Sequence, residues 1–346
     1  MDFIEPTTEE WRALYHAADA VKASAPWTFM EETDLFGVQN PETGEIGYVS
    51  VMGQAGEQYG IALYLGDEGG QKFWLLQELG PHMRAEDLFL TPQLQAFFED
   101  RRYLSPEDLA TIKALGLKYR GRNAWPQFRS MRPGYDPWFI DAAEARFLTL
   151  ALEQLVALAP RIEADPDILV FEDGDDYLVR ALREGPEGVD WQDTQQRMGP
   201  LPPHDVRINI DADTMNALSA LKPTEVLLQA DLFLAPVRIE EDTGRPFTTY
   251  ILLLVDGTSG FVYGQELLRT KPSLQAMQEQ VPPTFCRLLV KAGVRPTDIW
   301  SSSQMLLTLI APPLRDLGIN LAYQQVLPAL DEAKEALIGY LSRGPR

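Results

Sequence analysis

Apolar residues recur at helical spacing in residues 8–23, TEEWRALYHAADAVKA, where Trp11, Leu14, Tyr15, Ala18 and Val21 fall on one face. Thr7 or Thr8 precedes the run and acidic residues fill its first turn, which predicts a capped helix. The pattern then changes to strands: DLFGVQ (34–39), GYVSVMG (47–53) and YGIALYL (59–65), joined by the turn-rich NPETGE and QAGEQ. Helices are predicted over 69–80, over 105–117 with Ser105 as cap and Pro106 at the first position, and over 141–159 with Asp141 as cap. Residues 121–138, GRNAWPQFRSMRPGYDPW, hold three prolines and two glycines and read as an ordered but irregular loop. Residues 168–182 read as a hairpin turning at Asp173-Gly174.

GPLPPHDVR, 199–207, reads as a linker and places a domain boundary, giving domains 1–205 and 206–346. Beyond it the order is sharper. A strand fits 225–237, and YILLLVDGTSGFVYGQEL supplies strands at 249–255 and 260–267 around a tight turn. A helix fits 272–292, although Pro282-Pro283 should break or kink it. TDIWSSS (297–303) is a short strand and its exit, QMLLTLIAPPLRDLG a helix with a proline interruption, INLAYQQ (319–325) a strand and LPALDEAKEALIGYL a final amphipathic helix. The order is βββαβαβα and the fold class α+β, with antiparallel strands in the N-terminal domain. DLF, then TG, then two strands occurs in both halves, which either an old duplication or hairpin composition alone would produce.

Composition narrows the function classes. The chain of 346 residues is 45% hydrophobic, enough for substantial cores. Its formal net charge of −21 opposes general attraction to nucleic acid or anionic membrane. The single cysteine, Cys286, lies in an apolar helical pattern and reads as a buried structural thiol. The N-terminus lacks the apolar core of a signal segment, and no apolar run approaches the ~20 residues that span a bilayer, so a soluble cytoplasmic protein without a membrane role is expected.

Most motif chemistry falls away. His16, His82 and His204 are far apart and share no metal-ligand spacing. The glycines of GQAGEQYG lack the dinucleotide-binding spacing, GGQKF lacks the residue a phosphate loop needs after lysine, and GTSGF sits in a β-turn rather than a nucleophile elbow. FEDGDDY is too short for a calcium loop and reads as a solvated hairpin tip.

The order βββαβαβα resembles the ribonuclease H-like fold of retroviral-type integrases and transposases. The resemblance covers about residues 222–342. It rests on LLQADLFLAPV followed by YILLLVDGTSGFVYGQEL, and on AGVRPTDIWSSSQMLLTLIAPPLRDLGINLAY. The whole chain also resembles a bacterial family of two such domains with no assigned activity. The integrase resemblance implies three carboxylates holding two divalent metals, Mg²⁺ or Mn²⁺. Asp231 matches the first-strand position, and Glu332 or Glu335 matches the last-helix position. The fourth-strand position carries Ser301 to Ser303, whose hydroxyls cannot replace a carboxylate's charge, and Asp298 lies at the start of that strand. The catalytic set is therefore incomplete, with no cofactor expected, and the leading expectation is a non-catalytic binding or interaction module. A divalent-metal-dependent nuclease or phosphodiesterase with an unusual acidic site is the alternative.

One segment runs against the overall charge. Residues 101–132 carry Arg101, Arg102, Lys113, Lys118, Arg120, Arg122, Arg129 and Arg132 against Glu107 and Asp108, with Tyr119, Trp125 and Phe128 interleaved. Residues 163–193 carry eleven acids against Arg180 and Arg183. The basic segment is expected to face this acidic hairpin within the molecule. A protein partner is the next reading and nucleic acid the least favoured. Arg122, Trp125, Phe128, Arg129, Arg132 and Trp138 are the candidate binding or interdomain residues, with the aromatics packed and at least one arginine held by an acid of 163–193 or of the C-terminal domain.

Overall fold

In the computed structural model, which describes residues 3–56, 58–185, 188–201, 205–236 and 244–341, the first element is α1 (Thr8–Ser24). Thr7 caps it: the Thr7 hydroxyl accepts from the Glu10 amide at 3.2 Å, and the Glu10 carboxylate accepts from the Thr7 amide at 2.7 Å. The chain falls into two compact units, Met1–Pro133 with Pro137–Pro202, and Gly134–Asp136 with Pro203–Arg346. His204 and part of the expected linker lie outside the described residues.

The first unit continues through β1 (Phe36–Gln39), β2 (Ile46–Met52), β3 (Tyr59–Leu65), α2 (Gly66–Leu79), α3 (Ala85–Phe89), β4 (Gln93–Glu99), α4 (Pro106–Ala114), β5 (Trp125–Met131), α5 (Ala142–Ala164), β6 (Asp176–Gly185) and β7 (Gly188–Arg197). Its seven-stranded sheet has the order β5-β4-β3-β2-β1-β6-β7. Every pair is antiparallel except β1 with β6, which the long crossover through α5 makes parallel. Leu14, Val21, Leu148, Leu152 and Leu155 of α1 and α5 share a buried core with Val38, Val49, Ile61 and Leu94 of the sheet. Tyr48, Ala62, Tyr64 and Val179 join Phe73 of α2 and Met198 in a second cluster.

Three expectations for this unit change. Residues 121–138 are not a continuous irregular loop, because β5 runs through them as an edge strand. Pro126 sits opposite Phe98 there, and an edge is where a sheet tolerates a missing backbone donor. The hairpin read at 168–182 instead pairs 176–185 with 188–197, and Pro166–Leu169 forms a 3₁₀ turn. The third change is β4, Gln93–Glu99, where the sequence pattern predicts no strand.

The second unit contains α6 (Ala212–Ala220), β8 (Pro223–Leu234), β9 (Thr249–Asp256), β10 (Val262–Arg269), α7 (Leu274–Ala292), β11 (Arg295–Ser301), α8 (Gln304–Leu314), β12 (Asn320–Tyr323) and α9 (Pro328–Leu341). Its sheet order is β10-β9-β8-β11-β12, antiparallel from β8 to β10 and parallel from β8 through β11 to β12. This is the ribonuclease H-like mixed sheet, with the Asp231 strand at its centre. At the β9–β10 turn the Asp256 carboxylate accepts from the amides of Thr258 at 2.9 Å and Ser259 at 2.7 Å, and Gly260 takes a positive φ of 73°. Helix α7 runs on through Pro282 and Pro283, where a break or kink was expected. Val281, Pro282, Phe285, Cys286 and Leu289 are all buried, so core packing outweighs the lost backbone donors. Among the described residues no helix is long and apolar enough to cross a membrane.

The repeated DLF motif falls in the same register in both units. Phe36 pairs with Val49 and Phe233 with Ile251, each the residue after the tyrosine, Tyr48 or Tyr250.

Candidate functional site

Strand β8 alternates between two environments, as a central strand must. Leu228, Ala230 and Leu232 enter the core shared with α7 and α8. Phe233 joins Ile251, Leu253 and Val255 in the cluster that α9 covers with Leu330, Ala333 and Leu337. Gln229 and Asp231 share the parity of Phe233 and bond to α9. The Gln229 side-chain oxygen accepts from the Leu330 amide at 3.0 Å, and Asp231 pairs with the Lys334 ammonium. The same ammonium lies 4.8 Å from the centroid of the Phe233 ring. The spacing explains the match: two residues of strand advance about 6.7 Å and four residues of helix about 6 Å, so successive same-face residues of β8 meet i and i+4 of α9.

Asp231 is fully buried and the Lys334 side chain is 17% exposed. An unpaired carboxylate at that depth would be costly, and the ammonium supplies the compensating charge. The Ser302 hydroxyl donates to Asp231 Oδ2 at 3.2 Å, and the Leu232 amide donates to Oδ1 at 2.8 Å. The neighbouring serines serve structure. Ser301 Oγ accepts from the Ser303 amide at 3.0 Å, and Ser303 Oγ caps α8 by accepting from the Leu306 amide at 3.1 Å.

The other candidate carboxylates do not join Asp231 in a ligand set. Glu332 and Glu335 are exposed on α9. Asp298, near the start of β11, accepts from the Asn320 side chain at 3.1 Å. Among the described residues no group of three or more His, Cys, Asp or Glu is placed to hold a metal ion. The residues at Asp231 therefore do not fit a two-metal centre, because a cation already stands on the carboxylate.

Lys334 was missed from the sequence, though a signal existed. Leu330, Ala333, Lys334, Leu337 and Leu341 form one stripe of the final helix, and Glu332 and Glu335 fall off it. Residue type points to the acids; helical phase points to the lysine.

The basic segment of the first unit divides in two. Arg129 makes a forked pair with Asp108 at 2.9 and 2.7 Å and stacks over Phe139, 5.0 Å from its centroid. Burial alone would raise the Asp108 carboxyl, but hydrogen bonds and charge from Arg129 hold it below the usual aspartate range. Arg132 reaches Asp141 at 2.8 Å and Glu144 at 2.9 Å, the pair that caps α5. Phe128 is buried at 3% exposure, whereas Trp125 and Trp138 are half-buried. Trp125 lies 5.8 Å from Tyr119 and Trp138 lies 5.3 Å from Phe139. Arg122 is exposed.

These arginines are held by acids, but not by those of 163–193. That hairpin draws its cations from nearby: Asp193 pairs with Arg161 and Arg180, and Arg197 pairs with Asp173 and Asp176. The expected match between basic segment and acidic hairpin is replaced by local pairing on each side.

The two halves of the chain match two different family models. Residues 11–180 match a domain of unknown function (DUF7309). Residues 214–338 match a second domain of unknown function (DUF6930). No curated protein matches the chain. Among solved structures it is similar to the catalytic core domain of BIV integrase, at 17% identity over 35% of this chain and 71% of that one, with a TM-score of 0.23.

Proposed function

We propose that this chain is a non-catalytic binding or interaction module, built in its C-terminal half on a ribonuclease H-like frame that has given up metal chemistry. The observation that carries the reading is the Lys334 ammonium on the buried Asp231 carboxylate. In a two-metal site that position needs an anion free to face a divalent cation, with further carboxylates beside it. Here the last helix delivers a positive charge and the fourth strand a serine. The residues thus support a structural joint between β8 and α9.

The test is direct. Purified full-length protein is incubated with single- and double-stranded DNA and RNA in Mg²⁺ and in Mn²⁺. No cleavage that depends on Asp231 is expected. Cleavage lost in Asp231→Asn would overturn the reading and restore the metal-dependent phosphodiesterase.

A further inference from the structure

Once Arg129 and Arg132 are accounted for, six exposed cations of the basic segment remain: Lys113 and the five at Arg101, Arg102, Lys118, Arg120 and Arg122. Lys113 is set aside, since it lies in the last turn of α4 where the helix dipole favours a cation. Among the described residues, the contact of Arg102 with Asp100 at 3.8 Å is the one ion pair any of the five makes.

They are presented by a packed frame. From 117 to 120 the chain alternates: Leu117 and Tyr119 pack on the core, while Lys118 and Arg120 face solvent. The Asn123 amide donates to Asp100 at 2.9 Å, the Lys22 ammonium donates to the Asn123 carbonyl at 2.7 Å, and the Gln127 side chain donates to the Tyr103 carbonyl at 3.0 Å. These bonds tie 100–103 and 120–127 into one corner at the end of the β4–β5 ladder, where Glu99 pairs with Trp125. Two guanidinium groups lie against aromatic rings there, Arg101 at 5.8 Å from Trp125 and Arg102 at 4.6 Å from Tyr103, which is 58% exposed.

We infer that this corner docks a partner protein through a carboxylate-rich segment. The inference rests on the reading of the chain as an interaction module and names its surface. Four of the five cations are arginines, whose planar forks match carboxylates, and a rigid aromatic beside an arginine is the composition of an interface anchor. Two observations favour a polypeptide over a nucleic acid. Glu99 and Asp100 stand among the cations, and they would repel a continuous phosphate backbone while leaving room for carboxylates at chosen positions. The formal charge of −21 repels any polyanion at long range, and carboxylates confined to one segment of a partner meet less of that repulsion than a nucleic acid charged at every residue.

The probes are a fluorescein-labelled 15-residue peptide of Glu, Asp and Tyr, the same peptide with Gln and Asn in place of the acids, and a thymidine oligonucleotide of equal length. Each is titrated into the full chain. The acidic peptide should bind at least about tenfold more tightly than its amide counterpart and weaken as salt rises. Arg120→Glu with Arg122→Glu should weaken it at least about tenfold while leaving the melting temperature unchanged, because both side chains are exposed. Equal binding of the acidic and amide peptides, no binding of either, or an unaffected double variant would overturn the inference. So would tighter binding of the oligonucleotide through the same arginines, which would reassign the surface to nucleic acid. Asp231-dependent cleavage would refute the non-catalytic reading separately, whatever the peptide result.

Discussion

Lys334 balances the buried charge of the C-terminal unit's central strand. Its ammonium lies between a buried carboxylate and an aromatic face, both on β8, and fixes the helix that carries it. Removing one partner of a buried pair leaves an uncompensated charge and costs about 3–5 kcal/mol. Lys334→Met should therefore lower stability by that order in urea denaturation, whereas Asp231→Asn combined with Lys334→Met should recover much of it. If the single variant were as stable as the parent, Asp231 would have adequate compensation without the lysine. Sequence reading reached Asp231 and the missing fourth-strand acid, because both follow from residue type at a strand position. It did not reach Lys334, because that identification needs the phase of α9 against the face of β8.

At the scale of elements, legibility followed hydrophobic contrast. The meander β8–β10 and helices α1, α5 and α9 were readable because their apolar residues repeat at 2 or 3.6 and their turns and caps carry Asp, Gly, Ser or Thr. Strand β7 was not, because GVDWQDTQQR is largely exposed and polar and earns its place through backbone pairing with β6. Strand β5 was hidden by its prolines. Its side chains alternate all the same: Pro126, Phe128 and Ser130 are buried, while Trp125, Gln127 and Arg129 are half-exposed. This alternation sets an order for mutations. Phe128→Ala removes a fully packed ring and should cost about 3–5 kcal/mol. Trp125→Ala removes a half-buried one and should cost clearly less, as thermal or chemical denaturation of the two variants will show. The reverse order would mean that Trp125 anchors the strand. The common register of the DLF motif also belongs to this scale, since composition alone does not dictate which residues pair across a ladder.

Over the molecule as a whole, the ion pairs described in the first unit are mostly local ones. Arginines of the first unit meet acids on neighbouring elements, as Arg146 does with Glu10 and Glu42, and the acidic hairpin is held by Arg161, Arg180 and Arg197. The corner at 100–103 and 118–122 departs from this rule, which is why its cations read as directed outward. Each unit also has its own hydrophobic core, and the chain's single cysteine belongs to that of the second. Cys286 is fully buried, and burial pushes its thiol up to about 12, so the native protein offers reagents neither access nor thiolate. With one thiol per chain, any label that appears dates an opening of the C-terminal core and of nothing else. When reclosing is faster than reaction, the labelling rate follows the population of the open form. Lys334→Met should then speed labelling by Ellman's reagent by about two orders of magnitude, the kinetic counterpart of about 3 kcal/mol. Phe128→Ala, in the other core, should leave the rate unchanged. The molecule thus carries a built-in clock for one half of itself, readable in dilute native buffer without any added probe site.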